Sequence, residues 1–206
     1  MIVRKLDPLE AVPAAGSPVA NDSLPPAPTG VEGVPDTYLF TRILALAADE
    51  PRPLTHATGL PRATLERLVD RYVPAMGARV AALPHGDDTG EDTYEEPDLR
   101  AMILDHRAGQ AEEEEWLAAI VARRCNAANH LWQDMGFAGR SDLGTLFRRH
   151  FPALVAANSG DMKWKKFFYR QLCQREGFLL CKSPNCDCCD DHDACFGGET
   201  GNPLKD

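Results

Sequence analysis

Apolar residues recur at helical spacing along most of this chain. Leu39, Ile43, Leu46 and Ala47 mark a first helix. Asp36 stands where an N-cap belongs, and Pro51 and Pro53 stop the run. Leu60, Leu65, Leu68 and Val69 predict a second helix. The acidic, Gly-containing stretch 84–92 reads as a loop. Helices resume at Glu96, with Pro97 suited to a first turn. One carries Leu99, Met102 and Ile103. The next carries Trp116, Leu117, Ile120 and Val121 behind the run Glu112 to Glu115, read as a solvated start that favours the positive end of the helix dipole. Ser141 is placed to cap a helix holding Leu143, Leu146 and Phe147. Asp161 is placed to cap one that runs to Glu176, with Gly177 as its stop. No stretch alternates with period two and no segment repeats, so the expected fold class is all-α.

Both ends depart from this pattern. Residues 1–35 hold seven of the sixteen prolines, among Ala, Gly and Ser. Such a composition cannot bury a core, and the segment reads as a disordered arm. Residues 36–177 form the helical domain. Residues 178–206 are rich in Cys, Asp, Gly and Pro, read as irregular, and would need metal ligation to become ordered.

The 206 residues carry a net charge of −9. Phosphate backbones demand clustered positive charge, so a general nucleic-acid binder is not expected. No stretch approaches the ~20 apolar residues of a membrane span, and no apolar region follows the basic N-terminus. A cytoplasmic protein is expected, with reduced cysteines. Seven cysteines then need a purpose other than disulfides.

The run CKSPNCDCCDDHDAC supplies one. Cys181, Cys186, Cys189 and Cys195 follow the spacing Cx4CxxCx5C, four thiolates joined by loops short enough to wrap one metal centre. Thiolates suit iron–sulfur clusters and zinc alike, and spacing leaves both open. Cys188 is a spare or outer thiol that has a lesser claim as a ligand. His192, inside the last loop, reads first as a solvated histidine and second as a ligand.

The helix before the cluster, residues 161–176, has five basic against two acidic side chains. Lys163, Lys165, Lys166 and Arg170 either form a solvated face or make an electropositive wall that compensates cluster charge, attracts an oxyanion or docks an acidic partner. Cys173 on this helix reads as a structural thiol ahead of a metal ligand. So does His130, among the polar residues of Asn129-His130-Leu131-Trp132-Gln133-Asp134. Cys125 reads as a core residue. Residues 54–72 have the outline of a helix-turn-helix, with weak support from so acidic a chain.

Three segments together resemble the NifQ family, the molybdenum-handling proteins of nitrogen fixation. They are the NHLWQD stretch at 129–134, the string MKWKKFFYRQLC at 162–173, and the Cx4CxxCx5C run closing on Cys195-Phe196-Gly197. The likeness covers roughly residues 36–200, and only Cys188 falls outside its pattern. It implies an iron–sulfur cluster, of 4Fe-4S or MoFe3S4 type, that incorporates molybdenum. It implies donation of that molybdenum for the iron–molybdenum cofactor of nitrogenase, with the NifEN scaffold and the reductase NifH as partners. The expected protein is a metal carrier and not a turnover enzyme. Two other readings come from the residues alone: an iron–sulfur transcriptional regulator using 54–72, and a structural zinc adaptor.

Overall fold

A computed structural model describes residues 33–90, 93–175, 177 and 192–199. The described residues are helices and connecting loops, with no strand among them. The structure thus has the expected all-α class.

Helix α1 (Asp36–Asp49) ends just before Pro51, as the sequence requires. The core reaches slightly further back, because Val34 is already buried. Helices α2 (Leu54–Thr58) and α3 (Arg62–Tyr72) meet at Gly59, whose φ of 70° suits a residue without a side chain. Leu60 lies in this turn and not in α3, although it is buried as expected. A short 3-10 turn at Pro74–Met76 leads to α4 (Gly77–Ala82), and the acidic loop follows.

Helix α5 (Glu96–Leu104) packs along α6 (Glu112–Cys125). From Trp116 to Cys125 every residue of α6 is buried, the signature of a helix surrounded by others. The run at its start is less solvated than expected. Glu114 is buried, and its carboxylate accepts from the amides of Gly109 (2.8 Å) and Ala111 (3.2 Å). Glu113 accepts from Arg71 (2.5 Å) and from the Tyr72 hydroxyl (2.8 Å). Behind α6 lies a buried ion pair: Arg123 Nε donates to Glu96 at 2.8 Å, both side chains being almost sealed from water.

Three expected caps are corrected. Asp36 lies inside the first turn of α1, and its carboxylate accepts from Arg149 (2.5 Å) and pairs with His150 (3.0 Å). Ser141 lies inside α8 (Arg140–His150), where the neighbouring Asp142 accepts the Ala138 amide instead (3.1 Å). Asp161 does not start the basic helix, α10 (Trp164–Arg175); it holds a positive φ of 54° three residues earlier. The turn before α10 is closed by Asn158, which donates to the Met162 carbonyl (2.8 Å) and accepts the Met162 amide (3.0 Å).

Aromatic contacts fix α10 on the core. Trp164 packs on Phe147 of α8 at 4.1 Å between centroids, and Phe168 meets the same ring edge-on at 5.7 Å. Gly177, with a φ of 76°, sits in the expected stop position beyond α10. In the segment read as irregular, His192–Phe196 forms a short helix, α11.

Candidate metal-cluster site

Three cysteines of the predicted centre, Cys181, Cys186 and Cys189, and the spare thiol Cys188 lie outside the described residues. Cys195, the last of the series, is described. It sits on α11, half-buried against the core together with its neighbour Phe196.

The seating of α11 follows from local hydrogen bonding. The Lys163 amide, just ahead of α10, donates to the Cys195 carbonyl at 2.7 Å. The Lys163 ammonium donates to the Asp193 carbonyl at 2.9 Å. The same Asp193 carbonyl accepts the Gly197 amide at 2.9 Å, so the lysine adds a charged donor at the C-terminal end of α11. Downstream, Glu199 is nearly buried. It pairs with Arg140 Nη1 at 3.3 Å and with His130 Nδ1 at 3.5 Å. Arg140 also donates to the carbonyls of Asp161 and Met162, both at 3.0 Å. Cys195 is therefore fastened to the helical domain on both sides.

His130 thus faces the C-terminal segment. It stands at the N-cap position of α7 (Leu131–Asp134), where its amide donates to Gln133 at 3.0 Å. His192 stacks on Phe196, centroids 4.8 Å apart and planes at 25°. Cys173 is half-buried on α10. Cys125 is fully buried, and burial pushes its thiol up to about 12, as befits a core residue.

The four basic side chains do not act on one face. Lys163 precedes α10 and reaches α11, whereas Lys165, inside the first turn of α10, reaches the other way. Its ammonium donates to Asp134 at 2.5 Å and to the Ala127 carbonyl at 2.7 Å. Asp134 also accepts from Asn129 at 3.1 Å. The polar residues of the NHLWQD stretch therefore tie α7 to α10. Lys166 is exposed. Arg170 lines a cavity of about 560 Å³ between α9 (Pro152–Ala157), α10 and α11, which His192 and Phe196 close on the far side.

Sequence reasoning missed Arg140 and Glu199. Neither stands in a motif, and only their separation in space shows that they pair across 59 residues of chain. It also missed Asp134 as the partner of Lys165.

The outline at 54–72 does fold as two helices and a turn, yet its arginines face carboxylates. Arg62 pairs with Glu66 (3.0 Å), Arg67 with Glu112 (3.4 Å), and Arg71 with Glu112 (2.9 Å) and Glu113 (2.5 Å). A phosphate would have to displace them.

The sequence profile of the NifQ family matches residues 39–197, from inside α1 to the glycine after α11, so it spans the cysteine run as well as the helices. The chain belongs to the NifQ family. The NifQ homolog of Sinorhizobium fredii is 37% identical over 184 residues, covering 86% of this chain and 80% of its own. Protein NifQ of Azotobacter vinelandii is 36% identical, covering 77% and 86% respectively. Protein NifQ of Rhodobacter capsulatus is 44% identical, covering 70% and 78%. No solved structure matches the chain. NifQ membership is consistent with a role in nitrogen fixation. No helix among the described residues is long and apolar enough to cross a membrane.

Proposed function

We propose that this NifQ-family chain is a cytoplasmic iron–sulfur protein that takes up molybdenum and hands it on for assembly of the iron–molybdenum cofactor. It acts as a carrier and not as a turnover enzyme, with the NifEN scaffold and the NifH reductase as recipients. Cys181, Cys186, Cys189 and Cys195 hold the cluster.

The observation that carries this reading is the double fastening of Cys195. Among the described residues no three His, Cys, Asp or Glu side chains group as metal ligands, so a centre at Cys195 draws its other ligands from beyond them. The rest of the Cx4CxxCx5C run supplies thiolates, a donor set that fits an iron–sulfur cluster. When bound, such a cluster supplies sulfide to which molybdenum can attach.

The chain's own residues do the remainder. Lys163 holds the Asp193 and Cys195 carbonyls, and Arg140 with His130 holds Glu199. These contacts fix one ligand on a helix at the surface of the domain. Metal can then enter and leave without opening the core around α6.

Single Cys→Ala changes at 181, 186, 188, 189 and 195, followed by anaerobic iron analysis of each protein, test the ligand set. Iron is lost at 181, 186, 189 and 195 and kept at 188. Loss at 188 with retention at any of the other four overturns the assignment.

A further inference from the structure

The cavity beside α11 has a chemistry unlike the chain around it. Acidic residues outnumber basic ones 31 to 22 overall, yet no carboxylate is among the described residues that line this space. Its polar wall is Asn158, the neighbours Arg170 and Gln171 with Gln174 one turn further along α10, and His192 opposite on α11. Gln171 donates to the Gln174 carbonyl oxygen at 3.2 Å, which leaves the Gln174 amide hydrogens for another acceptor. Phe167 and Phe196 form the apolar parts of the wall. Apolar walls displace water and strengthen the attraction of a guanidinium for an anion.

We propose that this cavity is a docking site for a small tetrahedral oxyanion. Arg170, which keeps its contact within the chain, is the charge partner and donates a further N–H to the anion. Gln174 and His192 add donors. At about 560 Å³ the space exceeds one such ion, so the anion docks with part of its water and exchanges readily. His192 and Cys195 are three residues apart on α11, about 4.5 Å along the helix axis. A docked oxyanion therefore waits within one turn of a cluster ligand. The role as an antechamber rests on the reading that Cys195 ligates a cluster; the docking itself does not.

The assignment separates the basic residues of α10. Arg170 lines the cavity, Lys165 is engaged with Asp134, and Lys166 is exposed outside the cavity lining. Loss of Arg170 therefore matters more than loss of Lys166, although each removes one positive charge.

Equilibrium dialysis of the full-length protein against labelled molybdate, under anaerobic conditions, tests this. Sulfate and tungstate serve as competitors, and iron is measured on the same samples. Arg170→Gln weakens molybdate binding about tenfold, the scale of one charge-assisted contact. Gln174→Leu weakens it less, and Lys166→Gln changes it less than twofold. Tungstate, a tetrahedral oxyanion like molybdate, competes in the wild type. Wild-type binding in Arg170→Gln and Gln174→Leu, with unchanged melting curves, overturns the docking site. So does an equal loss in Lys166→Gln, which would mark a diffuse charge effect. Cys195→Ala distinguishes the two readings. If it keeps Arg170-dependent molybdate binding, the cavity stands whatever becomes of the cluster. If iron loads normally while Arg170→Gln binds molybdate as well as wild type, the cavity fails and the cluster reading survives.

Discussion

The amide of Lys163 donates to the carbonyl of Cys195 at 2.7 Å, joining the start of the basic helix to the last cysteine of the motif. The lysine side chain reinforces the junction through Asp193. Lys163→Ala removes the side-chain contact and leaves the amide. This contact is exposed, so stability falls by no more than about 1 kcal/mol. Hydrogen exchange in 192–196 accelerates, while amides of α6 keep their protection. Unchanged exchange in α11 would show that the lysine does not hold it.

Arg140 serves more acceptors. It binds Glu199, the Asp161 side chain and the carbonyls of Asp161 and Met162. Arg140→Ala costs roughly 1–3 kcal/mol, the range for hydrogen bonds that involve a charge. It also exposes 197–199 to proteolysis. Glu199→Gln reproduces the proteolysis with a smaller loss of stability. If the two variants protect that segment as well as wild type, the clamp is not a clamp.

The Glu96–Arg123 pair is deep in the domain, and Arg123 also donates to the carbonyls of His56 (2.5 Å) and Thr89 (2.8 Å). Breaking one partner leaves a buried charge without its mate. Glu96→Gln therefore costs about 3–5 kcal/mol and lowers the melting temperature on the order of 10 °C. Calorimetry reads this directly, and a shift below about 2 °C would contradict the burial.

Asp36 gives the fold an acid-sensitive anchor. Burial raises its pKa, but the hydrogen bond and charge of His150, then those of Arg149, outweigh that, and the net result lies below the ordinary aspartate range. A carboxyl depressed in the folded state stabilises above its unfolded pKa and loses this contribution as pH falls through the folded one. Asp36→Asn is therefore less stable than wild type at neutral pH. The gap narrows from neutral pH to a pH below the depressed folded pKa, where Asp36 itself becomes neutral. Urea melts at both pH values check this, and a gap that persists at low pH would assign the effect to shape and not charge.

What the sequence made legible follows a physical division. Leu39, Ile43, Trp116, Ile120 and Phe168 announce themselves because a helix must bury one stripe, and they are buried. The prolines at 51 and 53 announce a stop because they cannot continue a helix. Caps were misread because a short polar side chain has two uses. Asp36 and Asp161 satisfy distant arginines instead of the nearest amides, and nothing local records that. The positive charge of α10 was legible, but its partition was not. Lys165 is spent on Asp134 and Lys163 on α11, choices made by tertiary packing. The motif pointed to Cys195, yet its clamp rests on Arg140 and Glu199, which belong to no pattern.

Cys125 separates core thiols from ligating ones. Burial holds its pKa near 12, so the folded protein keeps it protonated and closed to reagent. Alkylation near pH 8 spares Cys125 until the protein is unfolded, and Cys125→Ala retains its iron. Loss of iron in that variant, with the fold intact, would move Cys125 into the site.

The central claim is a cluster that accepts molybdenum. It is tested most directly by iron, sulfide and molybdenum analysis of the full-length protein, purified without oxygen from cells supplied with molybdate. The account predicts a brown protein containing all three, with iron and molybdenum both lost in Cys195→Ala. A colourless protein carrying one zinc and no sulfide would contradict it.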